Sequence, residues 1–175
     1  MKKWKAFQLA NTNYDLSHLN GHVAEYTDSR DPAKPFIYRF FVTYSFHCFT
    51  KDDQSLNASE REQLMYHAPK EARPFNFERY ELSKKLPDII KSLAQPHILV
   101  RHAGNDRFVT VKILDQEGND IDYYVFFKVF RENKKLRIHV VSAYLRTDSL
   151  GKSKKIGFFT IAYNTLHNKP ITIPP

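Results

Sequence analysis

The sequence predicts an α+β fold, an antiparallel β-meander of four to six strands with one or two helices packed on one face. Beyond Pro96, short segments rich in β-branched and aromatic residues alternate with brief polar turns, which is typical of consecutive antiparallel strands. Before it, residues 77–93 carry apolar side chains at helical spacing. With 175 residues, 14 Phe and 10 Tyr, the chain has enough apolar surface for one core, so we expect a single domain over residues 1–175.

Residues 1–50 are predicted to be an N-terminal extension of this core. They are irregular apart from a short strand at residues 7–9 and one longer element. Residues 36–50 are almost continuously aromatic or β-branched and predict a single long strand. Because side chains alternate along a strand, Thr43 and His47 would share one of its faces.

Two helical segments are predicted next. Ser59, with Glu62 three residues later, matches a capping box and predicts a short helix that ends near Tyr66. In residues 77–93 the apolar side chains form one stripe of a helix. Pro87 interrupts this stripe because it lacks a backbone N–H and clashes with the preceding turn. We therefore expect a kink or two consecutive short helices.

The rest of the chain is predicted to be strands joined by tight turns. The candidate strands are residues 98–102, 107–114, 123–130, 136–146 and 157–163. Turn-forming residues separate them, for example at residues 104–106 and 132–135. Short connections favour antiparallel pairing, so helix and sheet together would form a core over residues 77–163.

The positive charge of the chain is concentrated in one region. The formal net charge is +8, and residues 128–155 contain nine Lys and Arg against two acidic residues. A clustered positive field attracts polyanions through counterion release, which scattered lysines do not. We therefore expect a nucleic acid as the partner. The alternative is a basic surface that only keeps the protein in solution.

Cysteine content and hydropathy exclude several other classes. Cys48 is the only cysteine, so neither an intramolecular disulfide nor a thiolate cluster for structural zinc can form. No phosphate-binding glycine loop or metalloprotease motif occurs, and we expect no metal and no cofactor. The N-terminus lacks the apolar run of a signal peptide, and no stretch approaches the roughly 20 apolar residues that span a bilayer. The expected location is cytoplasmic, without membrane contact.

Two short hydrophobic motifs carry a resemblance to a known family. They are Leu-Pro-Asp-Ile-Ile at residues 86–90 and Val-Val-Ser-Ala-Tyr at residues 140–144, with Ser142 where threonine is common. In this order they resemble the phage-associated branch of the barnase, EndoU, colicin and RelE-like nuclease superfamily, over residues 77–144. The resemblance implies a helix leading into a four-stranded antiparallel meander. It also implies a metal-independent, RNA-cleaving or toxin-like activity.

Two histidines are the candidate catalytic residues of such an endoribonuclease. Metal-independent RNA cleavage needs a base for the 2′-hydroxyl proton and an acid for the leaving oxygen. Imidazole suits both roles because its ordinary pKa is near 6.5. His139 lies on the predicted polar face of a basic strand, and His47 lies on the face of the long strand that carries Thr43. Two alternatives stay open: a solvent-facing His139, and a half-buried His47 bonded to a neighbouring hydroxyl.

Cations near the scissile phosphate would complete such a site. The candidate phosphate-binding residues are Arg101, Arg107, Lys112, Arg137 and Arg146, and the candidate nucleotide contacts are His102, Ser142 and Tyr144. Arginine and lysine suit a phosphate because they form charge-assisted hydrogen bonds with it. The alternatives are solvated hairpin ends for the cations and a core position for Tyr144.

Three functions are compatible with this pattern. The first is a small basic, nuclease-like or toxin-like protein that cleaves RNA, with an inhibitor as its protein partner. The second is a non-catalytic nucleic-acid-binding accessory protein of a phage or mobile element, on which aromatic side chains such as Tyr123 and Tyr124 would stack bases. The third is a protein-interaction module whose contact surface is the aromatic segment at residues 36–50.

Overall fold

A computed structural model of the chain describes residues 1–104, 107–116, 119–146 and 153–172. For residues 107, 111–116 and 119–121 it describes the backbone only. Within these ranges the chain forms four α-helices and eleven strands in an α+β fold, with seven of the strands in one sheet. None of the described helices has the length and hydropathy that a membrane-spanning segment needs.

The N-terminal region contains four strands. They are β1 (Phe7–Leu9), β2 (Thr12–Tyr14), β3 (His22–Asp28) and β4 (Phe36–Tyr44), with 3₁₀-helices at Ser17–Leu19 and Phe46–Cys48. The predicted strand at residues 7–9 is confirmed, whereas β3 lies in a stretch for which the sequence predicts no regular structure. The prediction of one strand over residues 36–50 is wrong beyond Tyr44. The Ser45 side chain accepts a hydrogen bond from the His47 amide and starts a 3₁₀-turn that ends the strand.

The middle of the chain contains three short helices and a hairpin. They are α1 (Ala58–Gln63), β5 (Met65–His67), β6 (Ala72–Pro74), α2 (Phe77–Ser83) and α3 (Leu86–Lys91). The prediction of two short helices in residues 77–93 is confirmed, with Pro87 in the first turn of α3, where its missing N–H costs no hydrogen bond. The capping box begins earlier than the sequence pattern indicates. Asn57 rather than Ser59 caps α1 and exchanges hydrogen bonds with Glu60.

The described residues of the C-terminal region form five strands and one helix. They are β7 (Val100–His102), β8 (Arg107–Gln116), β9 (Asn119–Glu132), β10 (Lys135–Leu145), β11 (Lys155–Ile156) and α4 (Phe158–Leu166). The prediction of a strand at residues 157–163 is wrong, because this segment belongs to α4. The buried side chains Phe158, Ile161 and Thr165 recur at helical spacing, and their packing outweighs the strand preference of the aromatic and β-branched residues.

One mixed sheet organises the fold. Its strand order is β11-β7-β8-β9-β10-β4-β3, and β7 to β10 form an antiparallel meander as predicted. The prediction that the whole sheet is a meander is wrong, since β4 pairs in parallel with β10 and places Thr43 opposite His139. Parallel pairing requires a long crossover, and here it contains α1 to α3 and β7 to β9. The strand β4 therefore lies inside the sheet, next to the edge strand β3.

The hydrophobic core fills one face of this sheet. Strands β4, β9 and β10 bury alternate side chains there, including Phe40, Val42, Tyr44, Tyr123, Phe127, Ile138 and Val140. On the same side, Tyr26 of β3 donates a 2.6 Å hydrogen bond to the Ile90 carbonyl of α3. Phe158 of α4 packs on Tyr26 and Phe40. The alternate side chains of the same strands point to the opposite face.

Candidate nucleic-acid interface

The face of the sheet opposite the core carries several of the candidate residues, and we call it the polar face. Register defines it, because residues paired directly across neighbouring strands point to the same side. On β4, β9 and β10 the polar face consists of Phe41, Thr43, Tyr124, Phe126, Lys128, Phe130, Arg137, His139, Ser142 and Tyr144. Cationic, hydroxyl and aromatic groups thus share one surface.

A β-bulge in β10 brings Ser142 and Tyr144 to the polar face. Val140 pairs with Phe127 and Ser142 with Phe126, so Val141 is the extra residue. Without the bulge, Ser142 would lie on the buried side with Val140, because residues two apart in a strand point the same way. The bulge shifts this alternation by one position.

Three aromatic rings lie side by side next to the bulge. The ring centroids of Tyr124 and Phe126 are 6.4 Å apart, those of Phe126 and Tyr144 are 5.5 Å apart, and both pairs are nearly parallel. A guanidinium lies near each end of the row: that of Arg146 is 5.8 Å from the Tyr124 ring, and that of Arg79 is 5.2 Å from the Tyr144 ring. Phe126 and Tyr144 are half-exposed, so a base could stack on them.

His139 lies half-buried at the centre of the polar face. Its Nδ1 is hydrogen-bonded to Thr43 Oγ1 at 2.9 Å across the β4–β10 pair. Burial lowers the pKa of His139 below its ordinary value of 6.5, and electrostatic interactions with Lys2, Lys128 and His47 lower it further. The ring is therefore neutral at pH 7 and lies in a positive electrostatic potential.

His47 is the second predicted histidine near this surface, on the 3₁₀-helix rather than on β4. Arg73 of β6 donates a hydrogen bond to its Nδ1, and its Nε2 lies 3.7 Å from Glu71 Oε1. Burial and the charge of Arg73 lower the pKa of His47, while Glu71 opposes the shift. Because Nδ1 accepts the hydrogen bond from Arg73, the proton of the neutral ring is on Nε2.

A cavity of about 260 Å³ opens beside His139. The N-terminal segment, the 3₁₀-helix and the β5–β6 turn form its walls, and the lining residues are Lys2, Trp4, Ser45, Phe46, Ala68, Pro69, Lys70, Glu71 and His139. We call it the basic cavity, because two lysines and the histidine line it together with one carboxylate.

Backbone contacts hold Lys2 at the basic cavity. The Gly21 amide donates a 2.8 Å hydrogen bond to the Lys2 carbonyl, and the Trp4 amide donates one of 2.8 Å to Asn20 Oδ1. A Cβ at position 21 would lie 3.2 Å from Met1 Cβ and 3.3 Å from the Lys2 nitrogen, so glycine permits this close approach. The Lys2 ammonium lies 3.7 Å from the centroid of the Trp4 ring. The first residues of the chain are therefore part of the site.

Arg137 lies on the polar face beside His139, and Arg101 and His102 lie farther away. The guanidinium of Arg137 is 2.9 Å from Glu132 Oε2 and stacks over Phe41. Arg101 is on β7, three strands from β10, which at the usual strand spacing is roughly 14 Å. Its guanidinium donates to the Ser153 carbonyl.

His102 is not brought to the polar face. It pairs with Phe108, which belongs to the core side of the sheet, and its Nδ1 accepts a hydrogen bond from the Gly104 amide. Arg107 and Lys112 lie on β8, where the backbone pairs them with Lys128 and Tyr123. Their side chains are outside the part of the chain that the structure describes.

Several contributors to the site are missed by sequence reasoning, namely Lys2, Trp4, Lys70, Glu71, Arg73 and Arg79. Each lies in a segment whose local pattern indicates only a charged terminus, turn, helix or strand. The one available signal was Trp4, the single tryptophan, placed between lysines in a polar N-terminus.

The aromatic segment at residues 36–50 mainly supplies the core. Phe40, Tyr44 and Phe49 are fully buried, and exposure is concentrated at Phe36 and Ile37, where β4 begins. The surface expected for a protein-interaction module is therefore confined to one end of the strand.

Comparison with known proteins gives one consistent match over nearly the whole chain. The model of the YjaZ family matches residues 6–166. Protein YjaZ of Escherichia coli (strain K12) is 42% identical over 176 residues, covering 99% of this chain and 97% of the relative. No solved structure gives a significant match. The resemblance of residues 77–144 to the barnase, EndoU, colicin and RelE-like superfamily is wrong, because a different family matches the chain. Short apolar helix and strand motifs recur in unrelated folds and do not discriminate between families.

Proposed function

The chain belongs to the YjaZ family, and from its polar face we propose that it binds single-stranded RNA there without cleaving it. The observation that carries this proposal is the bulge at Val141, which puts Ser142 and Tyr144 on the same face as Arg137 and His139. Single-stranded RNA offers unstacked bases and a charged backbone. Half-exposed rings beside cations complement both.

The electrostatics of the polar face support an anionic ligand. Lys128 is exposed next to Phe126 on β9, and Lys128 and Lys2 both lower the pKa of His139. Both cations therefore act on the centre of the face. A phosphate backbone that binds along it would replace counterions held by these groups, which favours binding at low salt.

A hydroxyl on the same face supports RNA over DNA. Ser142 pairs with Phe126, beside the aromatic row, and its hydroxyl can both donate to and accept from a ribose 2′-hydroxyl. DNA lacks that partner. We expect RNA to bind more tightly than DNA of the same sequence, and the difference to disappear in Ser142→Ala.

The protonation states favour binding rather than cleavage. Metal-independent RNA cleavage needs one protonated and one neutral acid–base group, whereas the pKa values of His139 and His47 are both lowered. Both rings are therefore neutral at pH 7, and Arg73 already occupies the Nδ1 of His47. Ribonuclease activity is kept as the second candidate because the two histidines are close enough to influence each other electrostatically.

Fluorescence anisotropy with a short labelled single-stranded RNA tests the proposal. We expect binding that weakens steeply with salt, and in Lys128→Gln a log Kd against log salt slope lower by about 0.7, the value for one lost phosphate contact on a single strand. Lys34→Gln, in the loop between β3 and β4, is the matched control and should leave the slope unchanged.

The stacking part of the proposal has its own variant. Tyr144→Leu should weaken RNA binding by about 1–3 kcal/mol, the usual contribution of one stacked base. Circular dichroism of the variant checks that the fold is retained. Binding that is insensitive to salt and to both substitutions would refute the proposed function. Cleavage of the RNA in EDTA that disappears in His139→Ala would replace it with the ribonuclease function.

A further inference from the structure

We propose that the basic cavity binds a terminal phosphomonoester of the RNA strand, an inference that rests on the proposed RNA-binding function. The cavity adjoins the polar face through His139, which belongs to both. A strand that runs from the aromatic rings beside the bulge to His139 therefore reaches a lined recess where it ends at His139.

The size of the basic cavity suits a single small group. Its volume of about 260 Å³ lies below the roughly 300 Å³ at which pockets for drug-sized ligands begin. A nucleotide within a strand carries neighbours on both sides, whereas a terminal phosphate is attached at one side only. The walls of the cavity come from the N-terminal segment and the β5–β6 turn, and they can enclose the end of a chain.

The charges around the cavity favour a dianion. Lys2 and Lys70 line it together with one carboxylate, Glu71, whose Oε1 lies 3.7 Å from His47 Nε2. A phosphomonoester carries close to two negative charges at pH 7, whereas each internal phosphodiester carries one. The second charge would lie beside the ammonium groups of Lys2 and Lys70.

The groups that would bind the phosphate are held in place before binding. The Lys2 ammonium is restrained over the Trp4 ring, and its backbone is bonded to Gly21. His139 is oriented by Thr43 through Nδ1. Preorganised donors lose little conformational entropy on binding, which increases affinity for a ligand that matches them.

Binding is expected to add a proton to His139. The titratable groups that act on its ring are Lys2, Lys128 and His47. Lys70 and Glu71 line the same cavity, and Thr43 is bonded to the ring. A dianion in the cavity reverses the sign of the local potential and favours the imidazolium form. The bound ring then donates a charge-assisted hydrogen bond in place of the neutral one.

The first experiment compares, by anisotropy, the affinity for RNA strands with and without a terminal phosphate. Two strands carry the phosphate, one at its 5′ end and one at its 3′ end. The comparison strand is one nucleotide longer and ends in hydroxyl groups, so that its total charge is similar to that of the phosphorylated strands. We expect one of the two phosphorylated strands to bind roughly 10- to 100-fold more tightly than the comparison strand, as one or two charge-assisted hydrogen bonds would produce.

Matched variants assign the preference to the cavity. Lys2→Gln, Lys70→Gln and His139→Gln should each reduce the preference for the phosphorylated strand. Lys3→Gln removes an exposed charge from the same N-terminal segment and should leave the preference intact. Equal affinity of all strands, with RNA binding otherwise present, would overturn the cavity assignment and leave the proposed function standing.

A second readout does not depend on RNA. Inorganic phosphate, compared with chloride at equal ionic strength, should raise the pKa of His139 followed by NMR of the histidine rings, and Lys2→Gln should reduce this rise. If no RNA binds but phosphate raises the pKa, the RNA function fails and the anion site stands. If phosphate has no effect beyond that of chloride, the anion site is refuted.

Discussion

Substitution of three buried tyrosines by phenylalanine tests how the core satisfies their hydroxyl groups. Tyr26, Tyr44 and Tyr123 are all buried on the core side of the sheet. The Tyr26 hydroxyl donates a 2.6 Å hydrogen bond to the Ile90 carbonyl. The hydroxyls of Tyr44 and Tyr123 have no hydrogen-bond partner among the described residues. Replacement of each by phenylalanine removes only the hydroxyl, so the three variants isolate its contribution.

The magnitudes follow from hydrogen bonding. A buried polar group without a partner costs about 1–3 kcal/mol, so Tyr44→Phe and Tyr123→Phe should each increase the free energy of unfolding by about 1 kcal/mol. Tyr26→Phe should decrease it by about 1 kcal/mol, and by no more than that because the Ile90 carbonyl also accepts from the Leu93 amide. For a chain of this size, 1 kcal/mol corresponds to a Tm change of about 2–4 °C.

Urea unfolding followed by circular dichroism measures these differences. The midpoints should change in opposite directions for Tyr26→Phe and for the other two variants, with equal slopes in denaturant. If all three substitutions destabilise the protein to the same extent, the hydroxyls of Tyr44 and Tyr123 are satisfied in solution and the reasoning is refuted.

Two further predictions concern the helix cap and the histidines. Asn57→Ala should destabilise the protein by about 1 kcal/mol in urea unfolding, because α1 loses its capping box, whereas Ser59→Ala should have little effect; the reverse order would contradict the assigned cap. The folded pKa of His139 is below 6.5, so the unfolded state binds the proton first, and stability should be lost as pH falls below about 6.5. His139→Gln should reduce this loss in unfolding measured at pH 7 and pH 5, and an unchanged pH dependence would contradict the shift.

Local elements of the fold are predictable from local sequence. The helix pair α2 and α3 follows from an apolar stripe interrupted by Pro87, and the hairpin between β9 and β10 follows from its polar turn. Asn133 and Lys134 adopt φ angles of 50° and 62°, the positive values that a two-residue hairpin of type I′ requires. In such segments the residues that form the sequence pattern are also the residues that form the element.

The elements predicted wrongly depend on contacts that are distant in sequence. Residues 158–166 have a composition that favours a strand, yet they form α4 because Phe158 packs on Tyr26 and Phe40. The strand at residues 36–50 ends at Tyr44, because Ser45 caps a 3₁₀-turn there. The strand propensity of a segment contains no information on such packing between distant residues.

The candidate site also contains one part that local sequence predicts and one part that depends on contacts between distant residues. The alternation of β10 predicts that Arg137 and His139 share a face, and register confirms it. The basic cavity, in contrast, combines Lys2 and Lys70 with His139, and nothing in the local sequence of these residues indicates that they meet.

The order of the local sequence patterns is enough to predict the α+β class and the antiparallel run from β7 to β10, and the amino-acid composition shows the concentration of positive charge near the C-terminus. The parallel pairing of β4 with β10 and the face on which Ser142 and Tyr144 lie become apparent only in the folded chain. Val141, the extra residue of the bulge, is a valine like Val140, which occupies a regular position in the strand. Its effect on alternation arises from pairing with β9 and cannot be recognised in β10 alone.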